Sequence, residues 1–84
     1  MDNDNFLKRA KKCVADSVVE LIEEDLYIVW FCKTLQNWKA LISTDAINGL
    51  YWEVTHNGDK NETYVDMYTK TNNICVKGDN WWML

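Results

Sequence analysis

His56 is the only imidazole in the chain, so acid–base or nucleophilic chemistry near neutral pH would have to run through it or through carboxylates. Asp59 follows closely, yet no recognisable motif sets a nucleophile beside the pair. Glu53 and Asp66 fall on neighbouring strands, with Lys39 and Lys70 at hand. Carboxylates on a sheet face are more often solvated or ion-paired than catalytic. Cys13, Cys32 and Cys75, with His56, supply the residue types of a Cys3His zinc site, but without the paired short spacing that pre-organises such ligands. Odd in number and far apart, they read as reduced thiols, with Cys13 and Cys32 filling small buried positions. No phosphate loop or dinucleotide fingerprint occurs. The expectation is a protein that is not an enzyme and that holds neither cofactor nor metal.

The chain that must carry these residues has 84 positions, room for one domain over 1–84 and for one core. With 48% hydrophobic and 26% charged residues, no Pro and three Gly, it has the composition of an ordered domain without linkers. A net charge of −4 argues against general nucleic-acid binding, which needs clustered Lys and Arg. No apolar run reaches membrane-spanning length. Asp2 to Asn5 is the wrong chemistry for a signal peptide, and cytoplasmic residence is the expectation.

Phe6, Ala10, Cys13, Val14, Ser17, Val18, Leu21 and Ile22 recur at three- and four-residue steps, which predicts an amphipathic helix over about 4–24. Asp2 or Asn3 is placed to cap it. Lys8 to Lys12 reads as the helix's solvated side. Glu23, Glu24 and Asp25 crowd an end where the helix dipole prefers cations. From Leu26 the period changes to two. Strands are predicted through Leu26–Lys33, Trp38–Thr44, Leu50–Thr55 and Thr63–Lys70, with Ile74–Val76 as a short fifth, so that the sheet spans about 26–77. Asn48-Gly49 signals a two-residue hairpin, and His56 to Asn61 reads as a second turn. Short connections imply an antiparallel meander with one helix on one face, an α+β fold.

Strict alternation gives the helix Ile28, Trp30, Cys32, Trp38, Ala40, Ile42, Trp52, Val54, Val65 and Met67. The other face receives Tyr27, Val29, Phe31, Lys33, Lys39, Leu41, Tyr51, Glu53, Tyr64, Asp66, Tyr68 and Lys70. Aromatic rings among charges are the composition of protein interfaces, and monomers seldom expose a patch such as Val29, Phe31 and Leu41. The expected binding residues are Tyr27, Phe31, Lys33, Lys39, Leu41, Tyr51, Tyr64, Tyr68 and Lys70. The apolar tail 78–84 adds Trp81 and Trp82 as a candidate oligomer contact, because Trp often dominates interface energy.

The run Val29-Trp30-Phe31-Cys32-Lys33-Thr34-Leu35-Gln36-Asn37-Trp38-Lys39-Ala40-Leu41, with Tyr51 to Lys60 and Tyr64 to Tyr68, resembles a family of small uncharacterised proteins encoded by bacteriophages and prophages of Gram-positive hosts. The resemblance runs from Phe6 to Val76; the tail falls outside it. It implies a source, the cytoplasm of an infected bacterium, and transfers no catalytic residue. Small phage accessory proteins often inhibit host machinery. The leading expectation is a homo-oligomer, dimeric above all, that binds and blocks a host protein as counter-defence. The rival is a sequestering protein for a nucleotide-like signal, with Lys33, Lys39, Tyr51, Tyr64 and Lys70 stacking on a base and neutralising phosphate.

Overall fold

The computed structural model describes residues 2–78. Helix α1, Asn3–Ser17, opens on Asp2, whose Oδ1 accepts from the Asn5 amide at 2.8 Å. Phe6, Ala10 and Val14 are buried along it, and full burial of side chains such as Phe and Val is worth about 1.5–3 kcal/mol each. The helix stops well short of residue 24. Val18 leaves it in an extended conformation, at a point where two β-branched valines follow each other. The Ser17 hydroxyl donates back to the Val14 carbonyl at 2.7 Å. The acidic cluster is thereby kept off the negative end of α1. It forms a separate 3₁₀ turn, Glu23–Asp25, in which the Asp25 carboxylate accepts from the Ile22 amide at 3.1 Å.

Four strands follow: β1 (Leu26–Thr34), β2 (Asn37–Thr44), β3 (Leu50–Asn57) and β4 (Glu62–Thr69). They form one antiparallel sheet in chain order. Helix and sheet together make the α+β architecture. Residues 70–77 carry no regular structure, so Ile74–Val76 adds no fifth strand and the sheet ends at Thr69 rather than 77. The β2–β3 connection is also longer than the Asn-Gly signal implied. It spans 45–49, and of its residues Gly49 alone takes a positive φ, +80°. The tight turn lies elsewhere, at Leu35-Gln36 between Thr34 and Asn37, with Leu35 at φ +57°.

The core lies between α1 and the centre of the sheet. Phe6, Ala10 and Val14 meet Trp38, Ala40, Ile42, Trp52 and Val54, closed at one end by Leu21 and Leu26. The rings of Phe6 and Trp38 pack with centroids 5.0 Å apart, tilted by 31°. Thr44, also buried, joins the 3₁₀ turn to the β2–β3 connection: its hydroxyl donates to the Asp25 carbonyl at 2.7 Å and accepts from the Ala46 amide at 3.1 Å. Among the described residues no helix is long and apolar enough to cross a membrane.

Candidate partner-binding face

A β-bulge in β1 decides which aromatic residues reach the open face. Ile28 pairs with Ile42, but Trp30 pairs with Leu41, so Val29 is an extra residue with no partner of its own. A one-residue slip exchanges the faces of every side chain beyond it. Trp30 and Cys32, expected in the core, therefore stand with Leu41 and Lys39 on the side away from α1, and both are exposed. Phe31 and Lys33, expected on the open face, stand opposite Ala40 and Trp38 on the helix side. The Lys33 ammonium lies 4.8 Å from the centre of the Trp38 ring, a cation–π contact at the margin of the core.

The remaining expected residues fall into rows across the open face. Tyr27, Ser43, Tyr51 and Tyr68 form one row; Trp30, Leu41, Glu53 and Asp66 the next; Cys32, Lys39, Thr55 and Tyr64 a third. Tyr27, Val29 and Trp30 are each exposed by 43–45%, and Tyr64 and Tyr68 by 56% and 51%. An apolar band thus crosses from β1 to Leu41 and gives way to phenols and carboxylates on β3 and β4. Its charges are partly neutralised within the face: Lys39 Nζ lies 3.6 Å from Glu53 Oε1, and the Tyr64 hydroxyl donates to Glu62 at 2.9 Å. Lys70 sits just beyond β4, its amide donating to the Gly49 carbonyl at 2.8 Å. Trp81 and Trp82 lie outside the described residues. Tyr27, Lys39, Leu41, Tyr51, Tyr64 and Tyr68 are thus brought onto one surface; Phe31 and Lys33 are not, and Trp30 replaces them. Sequence alternation missed Trp30 because a bulge leaves no compositional mark.

A second concavity opens between α1 and the far end of β3 and β4, with a volume of about 370 Å³. Its floor is Phe6, Ala10 and Val54, and Arg9, Cys13 and His56 stand at its walls. His56 belongs to β3 rather than to a turn; its Nδ1 is 2.7 Å from the Thr63 hydroxyl. Helix-side alternation from Val54 would have placed it there. On the rim Lys12 pairs with Asp16 at 2.8 Å, and that hydrogen bond and charge raise the Lys12 pKa above the usual lysine value. No group of three or more His, Cys, Asp or Glu side chains among the described residues gathers as a metal ion would require. Cys13 is half-buried, and Cys32 and Cys75 are exposed free thiols.

Residues 3–78 match the sequence model of one family. The chain belongs to DUF6275, a family of unknown function. No curated protein and no solved structure matches it. Membership of DUF6275 covers the helix and all four strands, so the bulge, the open face and the groove all lie within the matched region.

Proposed function

We propose that this DUF6275 chain is a non-enzymatic binding protein whose open sheet face docks on another protein and blocks it. The observation that carries the reading is Trp30, turned out of the core by the bulge and set beside Tyr27, Val29 and Leu41. A tryptophan half-exposed at the centre of an apolar band, rimmed by tyrosines and one ion pair, has the make-up of an interface hot spot. The resemblance to phage and prophage proteins of Gram-positive hosts supports a host protein as the partner, an infected bacterium's cytoplasm as the setting and counter-defence as the role. Affinity capture from such a host, followed by purified-component binding, tests it. Trp30→Ser is expected to weaken the complex by about 2 kcal/mol, roughly thirty-fold, while Phe31→Ser on the opposite face leaves it nearly unchanged. Equal losses from the two, or no saturable partner, would overturn the reading.

The groove favours a second reading, in which the ligand is a nucleotide-like anion. Arg9 and His56 flank an apolar floor that includes the Phe6 ring, whereas the lysines first expected to hold phosphate are divided between the two faces, with Lys33 on the helix side and Lys39 beside Glu53. Native mass spectrometry after incubation with mixed nucleotides distinguishes the readings. Retention lost in Arg9→Ser but kept in Trp30→Ser belongs to the groove.

A further inference from the structure

β4 closes the sheet, and among the described residues no strand pairs with its outer edge; three observations give that edge a defined complement. The strand is regular, since all of Glu62–Thr69 pairs with β3 without interruption, whereas the opposite edge, β1, is broken by its bulge. Natural edges are commonly blunted by bulges, proline or charged side chains, lysine above all; Glu62–Thr69 has no bulge, proline or lysine, and its only charges are Glu62 and Asp66.

The direction of the free backbone groups follows from one bond. The Lys70 amide donates inward to Gly49, so by antiparallel alternation the backbone groups of Tyr68, Asp66 and Tyr64 also turn inward, onto β3. Those of Thr63, Val65, Met67 and Thr69 turn outward. A second β4 can satisfy them only by placing its own outward-turned residues opposite.

Charge then selects among the registers this parity allows. Of the two nearest the middle of the strand, one opposes Asp66 to Asp66, and like charges directly opposite are destabilising. The other centres on Val65. We propose that β4 pairs antiparallel with β4 of a second copy about a two-fold axis at Val65, joining the two sheets into one. Tyr64 then faces the second copy's Asp66 and Tyr68 faces its Glu62, so each phenol meets a carboxylate. On the helix side Val65 meets Val65, and Met67, 61% exposed in one chain, meets Thr63. Both open faces lie on the same side of the joined sheet, leaving Trp30 and Leu41 free for a partner.

The test is a cysteine scan of the full chain in a background carrying Cys13→Ser, Cys32→Ser and Cys75→Ser. Val65→Cys, Asp66→Cys and Met67→Cys are oxidised separately, with folding checked by circular dichroism. Cα atoms of a directly opposed hydrogen-bonded pair lie about 5.5 Å apart, within disulfide reach. The wild-type chain is expected to sediment at twice its mass and to dissociate on dilution, and Val65→Cys to cross-link several-fold more than the other two. Met67→Pro, which removes an outward donor and no bond to β3, is expected to keep the fold and sediment as a monomer. A monomeric wild type, a dimeric Met67→Pro, strongest cross-linking at 66 or 67, or a dimer that cross-links at none of the three would each overturn the proposal.

Discussion

Trp30 faces Leu41, one residue out of step with the pairing of Ile28 and Ile42. Two tryptophans, on strands separated by β2, thus have opposite fates. Trp52 is 1% exposed beneath α1, and Trp30 is 43% exposed on the other side. Replacement of Trp52 by Ala is expected to cost about 3–5 kcal/mol, enough to unfold a small domain. Trp30→Ser should cost about 1 kcal/mol or less, in line with substitutions outside a core. Urea denaturation of the two variants checks this directly, and similar losses would mean that Trp30 is a core residue after all.

Gly58 lies against the neighbouring hairpin tip. Its amide donates to the Gln36 carbonyl at 2.9 Å, and a Cβ at Gly58 would fall 2.3 Å from that same oxygen. No side-chain rotation relieves a clash between backbone atoms, so one loop must move. Gly58→Ala is expected to destabilise the fold by about 1–3 kcal/mol, read as a lower urea midpoint at unchanged slope. An unshifted midpoint would show that the two tips are not held together.

Leu35 holds φ +57° with its side chain 79% exposed. A left-handed conformation costs a non-glycine residue about 1–2 kcal/mol, and here little packing offsets it. Leu35→Gly removes that strain while adding about 0.5–1 kcal/mol of backbone entropy cost. The variant should therefore be as stable as the parent or more stable, by up to about 1.5 kcal/mol. A lower thermal midpoint would assign the Leu35 side chain a contact of its own.

Thr44→Val keeps the shape of a buried side chain and deletes both of its hydrogen bonds, to the Asp25 carbonyl and from the Ala46 amide. Asp25 and Ala46 are themselves exposed, so each bond lost costs the ordinary net value of about 0.5–1.5 kcal/mol. The loss should appear in equilibrium unfolding, and amide exchange at Ala46 should quicken. Unchanged exchange there would mean that water replaces the hydroxyl without penalty.

Much of this architecture was legible in residue order, for a physical reason. Ala40, Ile42, Trp52 and Val54 alternate on central strands that face a single helix, and period-two alternation is the direct trace of a half-covered sheet. Phe6, Ala10 and Val14 likewise carry the helical period. Two features left no such trace. Apolar spacing continues through Val18, Leu21 and Ile22, yet Leu21 is buried from an irregular segment; spacing alone does not distinguish a fourth helical turn from a chain folding back. The bulge at Val29 inverts the alternation within a run where nearly every residue is apolar or aromatic, so hydrophobicity could not reveal the inversion. The site suffered most, because Phe31 and Lys33 both lie downstream of it.

The strand order also bears on how the chain is made. Each strand pairs only with its sequence neighbour, so the sheet can grow by successive short loop closures, the low contact-order route associated with rapid folding. The helix is synthesised first, but Phe6, Ala10 and Val14 bury against Trp52 and Val54, which emerge from the ribosome much later. During that interval α1 has no sheet to pack on, and a short isolated helix is marginal in water. Synthesis paused before β3 would leave its apolar stripe open to chaperones, whereas synthesis past Val54 would bury it.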